Sequence, residues 1–375
     1  MGTSRTVVTG PGLRRWGLVL GLIVVLAAIP IGISRWPVRA AGIDVGTLRA
    51  RVAASGGQAF QGYAQSSGLL PLPSLPGLSQ VTALVSGVTE MRTWYAAADR
   101  WRVDVLGEGT EHDVYRTSDA EFTWDFGDNQ LTRVVGDQPV RLPRAADFTP
   151  PELARRVLSI ASTDRVVPLP AKRVAGVDAA GLRLVPASPD TTVAHVDIWA
   201  DAAHGLPLQA EVTAKGGTRP VFVTRFLEIH FGAPAASVLT PPAPRPGIGY
   251  TVTEAPDIIS AINRRGRPVL LPAGLAGLPR RDSVAGLSAV AVYGTGLASV
   301  VVLGLPGRFG GQAFQQIQTY GQEVTVPGDS EASLITTGLL SLLAVRMDNR
   351  VFLVAGLVGP ALMQRVAGSL AERSR

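Results

Sequence analysis

The stretch from Met91 to Val135, MRTWYAAADRWRVDVLGEGTEHDVYRTSDAEFTWDFGDNQLTRVV, constrains the fold more than any other part of this chain. Period-two alternation puts Trp101, Val103 and Val105 on one face of a strand and Arg100, Arg102 and Asp104 on the other. Turn-forming residues break the pattern at Ala97-Ala98-Asp99, Gly107-Glu108-Gly109, Ser118-Asp119-Ala120 and Phe126-Gly127-Asp128-Asn129. Strands so close in sequence pair as an antiparallel meander, read here as four strands with one apolar and one solvated face. Three of the six tryptophans, Trp94, Trp101 and Trp124, fall within it. The meander's apolar face therefore covers either a packed core or a cavity for an apolar ligand.

The formal charge of +6 does not mark a nucleic-acid protein. Arg5, Arg14, Arg15, Arg35, Arg39, Arg49 and Arg51, against Asp44, carry all of it, so the rest of the chain sums to zero. No basic footprint for a phosphate backbone is left on the globular part. The absence of cysteine excludes disulfides, thiol catalysis and cysteine metal sites.

Residues 1–15 are polar with three arginines and no acid, and Trp16 to Ile33 are uncharged and apolar. That run is just long enough to cross a hydrocarbon core as a helix, and the arginines before it place a cytoplasmic tail inside and the bulk of the chain outside the cell membrane. A cleaved signal peptide is the rival reading, because Val38-Arg39-Ala40 offers small residues for cleavage; Arg35 and Trp36-Pro37 after the run favour an uncleaved single-pass anchor.

Helical spacing covers Val45 to Ser55, and Gln58–Gly68 reads as a strand. Thr149-Pro150-Pro151-Glu152 has the spacing of a capping box and starts a helix to about Ser162. Two hairpins follow, one turning at Asp178–Gly181 and one at Asp201–Gly205. Val221 to Phe231 is apolar on both faces, as a strand covered on both sides would be. The Pro/Ala/Gly-rich run 232–250 reads as a linker. After it come a short helix at Asp257–Asn263, a hairpin over Leu287–Leu303 bent at Gly294-Thr295-Gly296, and further strands. A terminal helix from Gly359-Pro360 follows, apolar at Leu362, Val366 and Leu370.

No metalloprotease helix, phosphate-binding glycine loop or nucleophile elbow occurs, and the four histidines lack the spacing of a helical metal site. Gly294-Thr295-Gly296 sits in a hairpin, where a turn is the better reading than a dinucleotide loop. Glu108, Glu111 and Asp113 read as a solvated acidic loop. No enzyme, metal or cofactor is indicated. Trp94, Trp101, Trp124, Trp199, Phe222 and Phe226 are the candidates to line a lipid-sized cavity, weighed against ordinary core packing.

Four stretches together resemble the MucB/RseB family of extracytoplasmic stress-response regulators, related in fold to the lipoprotein carrier LolA. They are Ala59-Phe60-Gln61-Gly62; Asp197-Ile198-Trp199-Ala200-Asp201 with Gly205-Leu206-Pro207-Leu208; Val292 to Val300; and Val354 to Pro360 with the helix after it. Thr295 departs from the pattern, standing where the family usually has Asp. The resemblance implies an α+β chain. It implies a LolA-like curved antiparallel half-barrel with packed helices over 43–231 and a small α+β C-terminal domain over 251–375. The N-terminal membrane helix at 16–33, read from its apolar run, departs from the family's cleaved signal, and the Pro-rich linker at 232–250 is read from composition. The resemblance also implies binding rather than catalysis, with a lipid or acyl-chain ligand and an anti-sigma factor as partners. The alternative function is a lipid or lipoprotein carrier at the cell envelope.

Overall fold

The computed structural model describes residues 19–20, 38, 42–72, 79–107, 109–136, 141–255, 271–281 and 289–372. The apolar run 16–33 therefore lies outside the described residues save Val19 and Leu20, as does the short helix expected at Asp257–Asn263. Among the described residues no helix is long and apolar enough to cross a membrane.

Helix α1 (Val45–Ala54) is started by Asp44, whose carboxylate accepts the Thr47 amide at 2.9 Å; it buries Leu48 and Val52. Strand β1 (Phe60–Gly68) and helix α2 (Ser79–Ser86) precede the meander. The meander has five strands, not four: β2 (Val88–Ala97), β3 (Arg100–Gly107), β4 (Thr110–Arg116), β5 (Glu121–Asp125) and β6 (Gln130–Val135). Four turn clusters separate five strands, and the turns fall where the sequence put them.

Helix α3 (Pro150–Ile160) follows a short 3-10 turn at Ala145–Phe148. The capping box expected at its start does not form: the Thr149 hydroxyl donates to the Ala146 carbonyl at 2.9 Å, and Glu152 pairs with Arg155. Proline in the first helical turn, which needs no amide there, starts α3 without it.

Strands β7 (Arg165–Val174) and β8 (Val177–Val185) turn at Ala175-Gly176, both at positive φ (48° and 79°), rather than at Asp178–Gly181. A two-residue turn with both φ positive matches the twist of paired strands. Strands β9 (Val193–Asp201), β10 (Pro207–Ala214) and β11 (Phe222–Phe231) complete the series. The first sheet has twelve strands in the order β12-β6-β5-β4-β3-β2-β1-β11-β10-β9-β8-β7. Its edge strand β12 (Gly249–Glu254) comes from the end of the linker and pairs parallel to β6, so the first sheet extends past residue 231.

All three helices pack on one face, here called the inner face, where Leu48, Val52, Ala154, Val157 and Leu158 meet Leu182, Leu184, Val196, Ile198 and Ala210. Strand β11 is not covered on both sides as expected: Arg225, Leu227 and Glu228 are exposed, and a bulge opposite Tyr63/Ala64 shifts its alternation.

The second sheet has eight strands in the order β13-β14-β15-β16-β20-β19-β18-β17. These are β13 (Gly274–Leu275), β14 (Leu278–Arg281), β15 (Val290–Tyr293), β16 (Val300–Pro306), β17 (Gln322–Val324), β18 (Glu331–Thr336), β19 (Ser341–Met347) and β20 (Arg350–Gly356). Helix α4 (Gly307–Tyr320) buries Phe314 and Ile317 against Ala344 and Val351. Helix α5 (Pro360–Ala371) buries Leu362, Val366 and Leu370 on the other face, against Leu343, Val345 and Val354. The central strands, covered on both faces, accordingly read as near-continuous apolar runs.

The two sheets share an interface. Leu297, Leu339 and Leu357 join the inner-face core, the Thr191 hydroxyl donates to the Leu357 carbonyl at 2.7 Å, and Arg365 pairs with Asp190 at 3.1 Å.

Candidate ligand-binding site

Directly opposite residues of paired strands share a face, so the ladder itself sorts the aromatic candidates. Trp101 pairs with Tyr95, and Phe226 with Ala64, which pairs in turn with Met91; these all lie on the inner face. Phe222 pairs with Val212, also on that face. Trp94 pairs with Arg102 and Trp124 with Asp113, on the opposite, outer face. Trp199 follows Ile198 and pairs with Gln209, which also puts it outside, under Lys172 (Nζ 3.2 Å from the ring centroid) and donating to the Pro170 carbonyl at 3.1 Å. The six candidates therefore do not converge on one cavity.

Only Trp101 of the six lines the cleft that the inner face holds. This cleft, about 230 Å³, opens between β2–β3 and the segment from Arg141 to Arg156. Its floor is Phe60, Tyr95, Trp101 and Val103. Phe60 stacks on Tyr95 with centroids 5.3 Å apart and takes Phe226 edge-on at 5.6 Å, so Phe226 supports the floor from behind. The Tyr95 hydroxyl donates to the Gly56 carbonyl at 2.6 Å and fixes its ring. Phe222 lies elsewhere, against Phe148 at 5.3 Å.

The rim is charged. Arg141 grips Asp147 with two bonds of 2.6 and 2.8 Å, and the Arg144 amide adds a third at 2.8 Å. Burial alone would raise the Asp147 carboxyl; these donors outweigh it and hold it below the usual range. Arg156 reaches the same carboxylate only at 3.4 Å and stays 58 % exposed, a guanidinium at the mouth whose counter-ion is already taken by Arg141. The arrangement can hold an apolar group on aromatic faces and a polar or anionic group at the mouth. It contains no base-activated nucleophile. A larger volume, about 570 Å³, lies between α5 and β13–β14, but it is an open depression lined by Gly274, Gly277, Gly368 and Arg365 without an aromatic floor.

The outer face of the meander is not the solvated face expected. Asp104 and Asp113 are 1 % and 3 % exposed there, with Arg102 between them. The acidic loop expected at Glu108, Glu111 and Asp113 is thus corrected for its last member, which is buried; Glu111 is partly exposed, and Glu108 lies outside the described residues. Two further residues of the cleft, Arg141 and Arg156, were not singled out from the sequence, since an arginine in a loop and one on a helix fifteen residues later carry no shared spacing signal.

No family model and no curated protein matches the sequence. Among solved structures, the chain is similar to MucB at 19 % identity and a TM-score of 0.48, over 88 % of this chain and 98 % of that one. It is similar to the MucA/MucB complex of Pseudomonas aeruginosa at 18 % identity and a TM-score of 0.46, over 87 % and 98 % of the respective chains. A LolA superfamily protein from Nitrosomonas europaea is similar at 11 % identity and a TM-score of 0.25, over 53 % of this chain and 99 % of its own. Two of these solved structures are of MucB, the name carried by the family that four stretches of the sequence resemble.

Proposed function

We propose that this chain is a non-catalytic extracytoplasmic regulator, anchored to the membrane by residues 16–33, that takes part of a lipidic ligand on its inner face and binds an anti-sigma-factor-type partner. The observation that carries the ligand reading is the cleft itself: an apolar floor of Phe60, Tyr95, Trp101 and Val103 beneath a mouth where Arg156 shares the Asp147 carboxylate with Arg141. At about 0.8 kcal/mol per buried methylene, such a floor selects apolar chains without any polar motif. Its volume is below the roughly 300–1,000 Å³ of drug-sized sites, so it suits a segment of an acyl chain with the head group outside. The partner reading rests on the sequence resemblance, and MucB is solved in complex with MucA. The alternative is an envelope carrier of lipids or lipoproteins.

The test is to purify residues 40–375 from the native envelope without detergent, extract with organic solvent and identify bound lipid by mass spectrometry. This boundary keeps Asp44 and Leu48, which start and anchor α1. One stoichiometric lipid in the wild type, lost in a folded Trp101→Asp variant and kept in Trp124→Ala, is the expected result. Lipid at the level of an unrelated protein would reject the ligand reading. Transfer of bound lipid to acceptor vesicles would favour the carrier over the regulator.

A further inference from the structure

On the outer face, β3 and β4 bring Asp104 directly opposite Asp113. One guanidinium serves both: Arg102 Nε lies 2.5 Å from Asp104 and Nη2 lies 2.9 Å from Asp113, with Glu111 at 3.9 Å. The Tyr115 hydroxyl meets the same Asp113 oxygen at 3.3 Å, while the other oxygen, Oδ1, is buried without a hydrogen-bond partner among the described residues. Three ionised carboxylates against one arginine would leave excess negative charge where Asp104 and Asp113 are almost fully buried. The charged or titratable groups facing the pair are few: Arg102 beside it, Glu111 and Tyr115 on β4, and the exposed Arg92 opposite Asp104 on β2. Strand β5 offers Trp124 opposite Asp113, and residues 233–244 of the covering segment carry no charge. A divalent cation would have to displace the guanidinium already bridging the carboxylates; a proton would not.

The same arginine has a second attachment. Its guanidinium lies over Trp94 and Tyr115, 5.0 and 4.7 Å from the ring centroids, and Nη1 points to the Val238 carbonyl at 3.5 Å. Val238 belongs to residues 232–248, which lead from β11 across the outer face to β12 and bury Leu239. All six residues of β12 are exposed, so that strand is held to β6 chiefly through its backbone.

We propose that Asp104 and Asp113 share one proton, and that its loss releases the strap of residues 232–254 from the outer face of the sheet. With the proton in place, the orphaned Asp113 oxygen is satisfied and Arg102 is free to hold Val238. Without it, the second negative charge draws the guanidinium into the carboxylates and away from the strap. Burial raises Asp104 to about 7, with the Arg102 hydrogen bond opposing and the Asp113 charge adding to the rise; burial raises Asp113 too. The strap is therefore seated in mild acid and loosened above neutrality.

The chain has no cysteine, so Ser237→Cys gives a single site for a nitroxide on the strap. Spin-label mobility is read on the full chain from about pH 5 to about pH 9, a range that spans the raised carboxyl and avoids the tyrosines. The expected result is loss of the immobilised component near neutral pH, absent in Asp104→Asn and Asp113→Asn, which mimic the protonated acids and keep the label immobilised throughout. Glu111→Gln, on the partly exposed edge, moves the midpoint down but keeps the transition. No transition in the parent, or the same midpoint in both Asn variants, overturns the proposal. A transition abolished by added calcium and restored by chelator overturns it in favour of a metal site. If either Asn variant fails to fold, the remaining one and the proton uptake of the parent on mixing across neutral pH decide the same question.

Discussion

Asp104 shows how a single side chain ties pH to stability. Its carboxyl is pushed up to about 7 in the fold from the ordinary 3.8, so between those limits the folded chain binds a proton that the unfolded chain has lost. The contribution of Asp104 to stability is therefore largest in acid and falls as pH rises through that window, by on the order of 2 kcal/mol, while Asp147, held low by its donors, contributes in the opposite sense at lower pH. Thermal unfolding across this range is expected to show that decline in the wild type and a flatter profile in Asp104→Asn. Gly296 makes a steric case instead. It sits at φ 57°, and a Cβ there would meet the Asp164 carboxylate at 2.8 Å, where that carboxylate accepts the Leu297 amide across the sheet interface and the Ala187 amide on its own side. Gly296→Ala is expected to cost about 1–3 kcal/mol by denaturant unfolding, from left-handed strain together with the displaced carboxylate. The glycines around Thr295 thus serve a tight turn and a docking contact.

At the scale of elements, helix α3 links the core to the cleft. Its Leu158 is buried in the inner-face core, while Glu152 and Arg156, on the same helix, line the cleft mouth. Leu158→Ala is expected to cost roughly 2–5 kcal/mol by urea unfolding and to weaken ligand retention, because the mouth moves with the helix. Elements with strong period-two alternation and turn residues between them, such as β3, β9 and β10, were legible from the sequence. Helix α4 was not: the three glycines of GRFGGQAFQQIQTY weaken its helix propensity and obscure the helical spacing at which Phe314 and Ile317 fall. Strand β12 was hidden for a different reason. All its side chains are exposed, and backbone pairing to β6 leaves no pattern in residue type.

At the scale of the whole molecule, the two sheets are docked through an apolar interface in which Leu297, Leu339 and Leu357 extend the core of the first. A shared core of this kind makes unfolding cooperative. Residues 40–375 are expected to unfold in one calorimetric transition, and Leu339→Ala, which opens the interface, to split it into two. The alternation of Met91–Val135, the hairpin at Asp201–Gly205 and the terminal helix are local patterns, and the sequence alone determined them, because side-chain period follows directly from backbone geometry. Which aromatics meet was decided by tertiary structure. Turn length and bulges set the register, and register sends Trp101 and Phe226 inward and Trp94, Trp124 and Trp199 outward. The burial of Asp104 and Asp113 likewise depends on a segment more than a hundred residues away lying across them, a long-range contact that no local window of the sequence contains.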